Sequence, residues 1–323
     1  MNPSNVLGSR TRRRLVLGST AAVGVGFAAT HLTARAQSLV LKAGDQKGGL
    51  RALLEAANGL QKLGYEIQWT EFPAAAPLAE ALNAEAVDLG PIGDAPLIFA
   101  LASGARVKAI AVNRSDPYGT AVLVRPDSPL KTAADLAGKT IATNRGSIGH
   151  YVALKALASA NLKPDAGTFR FLAPADAKLA LTQGAVDAWS TWEPYTAMAE
   201  TAGHARVLVN GRGLSSGLSF LAATDSAIAA KRAVLQDFSQ RIVRAQLWSY
   251  QHVPEFAAAL ARVTGIAPEA ARLQFERRAQ RWIGADSQVL VDQQQTADFY
   301  LSAGLLKQRL DVRPTFDTGF TPA

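Results

Sequence analysis

From Gln37 onward, short runs of β-branched and apolar residues alternate with longer stretches whose apolar residues recur at helical spacing. That alternation calls for α/β architecture. Strands are predicted over 39–44, 66–72, 87–92, 107–113, 121–125, 140–143, 168–172, 188–192, 206–209 and 219–223. Between them, 50–63, 77–84, 96–103, 148–160 and 176–183 read as crossover helices. After these the strand signal fades: 227–250 is a long amphipathic helix, followed by helices over 254–263, 268–280 and 288–303. Pro254 and Pro268 stand in first turns, where a missing N–H costs nothing.

Two stretches punctuate this order, Asp116-Pro117-Tyr118-Gly119 and the glycine-rich 211–217. The chain thus divides into a first α/β run, a second α/β run and a helical tail. A domain inserted between two hinge crossings explains the layout, with 37–117 and 222–323 forming one lobe and 118–221 the other. Each lobe is expected to be an open mixed sheet flanked by helices.

The charge is uneven. The 323 residues carry 34 Lys plus Arg against 26 Asp plus Glu, a formal +8 that invites a nucleic-acid reading. Five of the bases, Arg10, Arg12, Arg13, Arg14 and Arg35, fall within 1–36, which has no acidic residue. The arginines precede a short, mildly apolar Gly/Ala/Val run that ends in Ala34-Arg35-Ala36. Basic, apolar and small-x-small in that order is an export signal, and Thr11-Arg12-Arg13-Arg14-Leu15-Val16 is similar to the twin-arginine motif. Cleavage near Ala36 would leave a mature chain only mildly basic, and the nucleic-acid reading loses its support.

Several chemistries fail on residue type or context. The chain has no cysteine, which removes thiol nucleophiles, Cys-ligated zinc, iron–sulfur clusters and a lipoprotein anchor. His150, His204 and His252 show no metal-binding spacing. Gly138-Lys139-Thr140 resembles the end of a P-loop, but Ala133 stands where its first glycine belongs and a strand follows. No G-x-S-x-G elbow surrounds any serine. No catalytic residue, metal or cofactor is expected.

Polar residues instead gather at strand ends, where open α/β sheets bind ligands. Asp45-Gln46-Lys47-Gly48-Gly49 precedes a helix and reads either as an anion cradle or as an ordinary capped turn. Gly93-Asp94-Ala95-Pro96 opens another helix: Asp94 is placed as its cap, with ligand contact a further role, and Gly93 lets main chain approach a ligand. Ser147 and Ile148 begin a third helix, whose first-turn amides suit an oxyanion. In that turn either His150 or Tyr151 faces the cleft, and His150 is the expected contact. Trp189 and Trp192 flank a strand end before Glu193-Pro194, with Trp192 the better candidate for an apolar cleft wall. Phe72, closing Trp69-Thr70-Glu71-Phe72-Pro73, is either core or cleft.

Taken together, these pieces resemble the aliphatic sulfonate-binding proteins of ABC importers, within the nitrate, taurine and sulfonate group. The resemblance runs in order through Gln46-Lys47-Gly48, Trp69 to Pro73, Glu80 to Asn83 and Val87 to Pro96. It continues through Gly146-Ser147 with His150-Tyr151, Pro174 to Ala177, Val186 to Trp189 and Trp192 to Tyr195. It implies a type II periplasmic binding fold, two lobes joined by two crossing strands and closing on a ligand. It assigns Gln46, Lys47, Gly93, Asp94, Ala95, Ser147, Ile148 and His150 to the anion end, and Trp192 and Glu193 to the opposing lobe. Asp45 and Ala95 depart from the family pattern, which often has an aromatic and Thr there. The resemblance further implies a periplasmic monomer that takes an organosulfonate to an inner-membrane permease and its ATPase. Taurine, another organosulfur anion, nitrate or a thiamine-precursor pyrimidine are the alternative ligands.

Overall fold

The alternating pattern resolves into two open mixed sheets in the computed structural model, which describes residues 39–320. The export segment lies outside the described residues. The first run lays down β1 (Val40–Gln46), α1 (Leu50–Ala56), β2 (Glu66–Phe72), α2 (Ala75–Asn83), β3 (Leu89–Gly93), α3 (Asp94–Ala102) and β4 (Val107–Arg114). The second gives β5 (Ala121–Val124), β6 (Thr140–Thr143), α4 (Ile148–Ser159), β7 (Thr168–Phe171), α5 (Pro174–Thr182), β8 (Ala188–Thr191), α6 (Tyr195–Thr201) and β9 (Arg206–Asn210). The chain then returns through β10 (Leu218–Thr224) and finishes with α7 (Asp225–Gln251), α8 (Val253–Thr264), α9 (Pro268–Arg278), β11 (Arg281–Ile283) and α10 (Ser287–Ser302).

The first sheet has the order β11-β4-β10-β3-β1-β2 and the second β7-β6-β8-β5-β9. Helical crossovers make β2, β1 and β3 parallel, and likewise β7, β6 and β8. In the first sheet the returning β10 runs antiparallel between β3 and β4; in the second, β5 runs antiparallel to β8 and β9. Both faces of each sheet are covered. Leu54 of α1 and Phe238 and Ile242 of α7 pack on one face of the first sheet, Leu78, Leu97 and Tyr300 on the other. The second sheet is enclosed by Leu181 and Ala199 on one side and Ala153 and Leu157 on the other.

The chain crosses between the sheets twice, and the crossings touch. Ser115 N–H donates to the Gly217 carbonyl at 2.9 Å. Gly217 sits at φ +69°, and a Cβ there would overlap the Ser115 carbonyl oxygen, so only glycine fits. The tail is woven into this hinge. β11 adds an edge strand beside β4, and Asp116 N–H donates to the Arg278 carbonyl at 2.7 Å. On the opposite side, Tyr151 and Val152 of α4 join the first sheet's core, with Tyr151 against Phe299 and Tyr300 at 5.3 and 5.4 Å between ring centres.

Four elements differ from the sequence expectation. α1 stops at Ala56 because Asn58 turns left-handed at φ 53° and Gly59 N–H closes onto the Leu54 carbonyl. α9 ends at Arg278, where Ala279 takes φ 43° and turns the chain so that Arg281–Ile283 pair with β4 as β11. α6 forms directly after the Trp192-Glu193-Pro194 turn. No helix among the described residues is long and apolar enough to cross a membrane.

Candidate functional site

The strand ends and the hinge enclose a cavity of about 740 Å³. The first sheet contributes the β1–α1 loop, the end of β2 with Phe72, and the β3–α3 turn. The second sheet contributes Ser147 and Ile148 at the start of α4 and the segment from Trp192 to Tyr195. Gln46, Lys47, Gly93, Asp94, Ser147, Ile148, Trp192 and Glu193 are thus brought together around one space. Ala95 and His150 are not among its lining.

Local chemistry explains each placement. Asp45 leaves β1 and folds back, its carboxylate accepting from Leu50 N–H at 3.0 Å and Arg51 N–H at 2.7 Å. It therefore occupies the α1 N-terminus itself, where an external anion was one expectation. Burial raises its pKa, and the helix amides pull against that shift. Gly49 lies so close beneath that a Cβ would overlap Asp45 Oδ1. Gln46 is half-buried in the lining, whereas Lys47 stands exposed at the rim.

Asp94 opens α3, and its Oδ1 accepts from Ala95 N–H at 2.7 Å. Its Oδ2 is sealed from solvent without a hydrogen-bond partner, and burial pushes its pKa up to about 7. Ala95 is wholly buried behind it, in the core around α3. Gln293 of α10 donates to the Asp94 carbonyl at 3.1 Å and holds the turn from the core side.

Ser147 caps α4, accepting from His150 N–H at 3.2 Å and donating to the Asn144 carbonyl at 2.7 Å. The amide of Ile148, in the first turn of α4 and on the cavity lining, has no intrahelical acceptor. His150 points the other way. Its ring sits between Phe169 and Phe171 at 5.1 and 5.2 Å, with Nδ1 accepting from Gly146 N–H at 3.4 Å. Burial and the nearby Arg145 charge lower its pKa to about 4, so it is a neutral packing group. Tyr151 also faces core, so neither member of that pair lines the cavity.

Trp192 is half-buried in the cavity wall and meets Tyr195 edge-on at 5.8 Å. Glu193 lines the same wall but has committed both oxygens: Oε1 accepts from Arg277 Nε, and Oε2 from Ala197 N–H at 3.0 Å. Arg277 also donates from Nη1 to Glu200 at 2.6 Å, so one guanidinium of α9 holds two carboxylates of the other sheet's domain.

The helical tail supplies lining that sequence reasoning missed. Phe256, Phe275, Arg278, Gln280 and Trp282 face the cavity, together with Asn113 from β4, to which Gln280 donates at 3.2 Å. The Arg277-Arg278 pair was the available signal, two bases closing a helix just before the chain turns back. The cavity therefore offers amides, amide side chains, one recessed guanidinium and aromatic surfaces. Among the described residues no group of His, Asp and Glu side chains could hold a metal ion.

Two open α/β lobes crossed twice by the chain, with a cavity at the crossing, define a hinged solute-binding protein. A family model described as ABC transporter, phosphonate, periplasmic substrate-binding protein matches residues 54–266. The aliphatic sulfonates-binding protein of Escherichia coli (strain K12) is 35% identical over 277 residues, 84% of this chain and 87% of its own. The chain belongs to the aliphatic sulfonate-binding proteins of ABC transporters, a family of periplasmic substrate-binding proteins and not of enzymes. The crystal structure of the periplasmic aliphatic sulphonate binding protein SsuA from Escherichia coli superposes with a TM-score of 0.81 at 33% identity, covering 88% of this chain and 92% of that one. The alkanesulfonate-binding protein SsuA from Xanthomonas axonopodis pv. citri bound to MOPS also reaches 0.81, at 32% identity over 86% and 98% of the two chains.

Proposed function

We propose that this protein captures an alkanesulfonate between its lobes and presents it, in the periplasm, to an inner-membrane permease and its ATPase. Polar groups and aromatic side chains from both lobes line one cavity, and that observation carries the reading. The Ile148 amide, with Ser147, is suited to sulfonate oxygens, and Gln46 and the Gly93 main chain to the same head group. Phe72 and Trp192 offer the tail apolar walls. Ligand bridging the two walls would favour the closed form, the one a permease can distinguish from the empty protein. The MOPS carried by the Xanthomonas relative agrees with a sulfonate head group and a bulky tail.

Export precedes this role. The arginine pair Arg12-Arg13 and the Ala34-Arg35-Ala36 pattern support twin-arginine export with cleavage near Ala36, and the mature chain acts as a monomer. Replacing Arg12 and Arg13 with lysine should retain the precursor in the cytoplasm. Calorimetry of the mature protein with hexanesulfonate tests the binding reading: saturable heat is expected, and none at ~1 mM ligand, about 4 kcal/mol of binding free energy, overturns it.

A further inference from the structure

Of the cavity's lining residues, two carry a positive charge, Lys47 and Arg278. Lys47 is solvent-exposed at the rim, whereas Arg278 is recessed at the end of α9. The Arg278 guanidinium makes no hydrogen bond or close ion pair with any described residue, and only the field of Glu193 and of Tyr250 reaches it. Four of the lining carboxylates are already engaged. Asp45 holds the α1 amides, Asp94 the Ala95 amide, Asp116 pairs with Arg212, and Glu193 is held by Arg277 and the Ala197 amide. The fifth, Glu71, is exposed. The main chain of Arg278 is anchored, because its carbonyl accepts from Asp116 N–H at 2.7 Å on the first hinge crossing.

We propose that Arg278 is the charge receptor for the ligand's anionic head group, and that Arg277, by holding Glu193 and Glu200, keeps Arg278 free of a carboxylate partner. This rests on the sulfonate reading and names its electrostatic half. A recessed guanidinium that no carboxylate hydrogen-bonds is costly in the empty protein, because burial outweighs the field of Glu193, and an oxyanion in the cavity relieves that cost. The planar fork offers two parallel donors to two sulfonate oxygens, a match an ammonium cannot reproduce. Arg277 and Arg278 are adjacent in sequence with divided tasks: the first binds the lobes' own acids, the second is left for the ligand. Arg277 is therefore a positioning residue.

The test is calorimetry of the mature protein with hexanesulfonate, alongside thermal melts without ligand. Arg278→Gln should weaken binding by roughly 30-fold and flatten its salt dependence, the scale of a lost charge-assisted hydrogen bond. Its ligand-free melting temperature should be equal to or above wild type, since a desolvated charge has been removed. A receptor role predicts that combination, and a merely structural role would lower both. Arg278→Lys should recover the salt dependence and only part of the affinity. Arg277→Gln should weaken binding by about 10-fold as Glu193 turns to Arg278, and Arg277→Gln with Glu193→Gln should restore it. Wild-type affinity in Arg278→Gln overturns the receptor assignment while leaving sulfonate capture standing. Loss of affinity in Arg277→Gln without rescue overturns the role given to Arg277. Absence of binding by the wild type overturns the sulfonate reading itself.

Discussion

Asp94 and His150 lie in the first turns of α3 and α4, and burial moves their protons in opposite senses. Asp94 is raised to about 7, so between pH 4 and 7 the unfolded chain ionises it before the native one does, and stability falls as pH rises through that window. His150 is lowered to about 4, so its neutral form is favoured in the native state, and stability falls as pH drops from 6.5 through 4. The two slopes oppose each other in the wild type. Urea melts from pH 4 to 8 should show Asp94→Asn gaining up to about 4 kcal/mol at pH 8, with no gain at pH 4. His150→Phe should flatten the acid limb by up to about 3 kcal/mol and leave pH 8 nearly unchanged. The reversed pattern in either variant would show that these groups are not buried as described. His150 was expected at the ligand because a polar ring in a first turn beside a strand end fits that role. Its actual direction depends on β7 offering Phe169 and Phe171, and no local spacing encodes that contact.

At the scale of elements, α1 shows how a loop that looks like an anion cradle can fill itself. Asp45 closes over the α1 amides, and Gly49 supplies the space. Asp45→Ala should cost about 1–2 kcal/mol in a denaturant melt, the value of a lost helix cap, and Asp45→Asn less because its amide oxygen still accepts. An unchanged midpoint for Asp45→Ala would mean the cap contributes nothing. Strands with strong alternation or β-branched content, such as β2 and β6, were legible to the residue, since hydrophobic pattern alone specifies them. α6 and β11 were not. A seven-residue helix and a three-residue edge strand carry too few residues to show a period, and each exists through partners distant in sequence, α9 for one and β4 for the other.

In the whole molecule, the helical tail proves inseparable from the cleft. It was expected to complete one lobe, yet α9 and β11 also line the cavity, hold the hinge at Asp116 and reach Glu193 and Glu200. The closure proposed above would have to preserve or rearrange the Arg277 cluster, with the touching crossings at Gly217 and Ser115 as its pivot. Solution X-ray scattering should show a smaller radius of gyration at saturating sulfonate, and an identical profile with and without ligand would exclude closure. The order of the strand-end loops was readable because α/β topology sends every such loop to the same edge of a sheet. The tail's return was not, because it is set by packing between segments far apart in sequence, Gln280 on Asn113 at a separation of 167 and Arg277 on Glu193 at 84.

Trp192 and Trp282 enter the same cavity from the two sides of the hinge. The chain consequently carries an intrinsic optical reporter of its own occupancy: an indole from each lobe would lose water as the ligand arrives, and its emission should shift to shorter wavelength. Trp192→Phe should remove much of that change while the buried Trp189 keeps the background emission. A titration followed by fluorescence can then report filling and closing at once, with no attached dye.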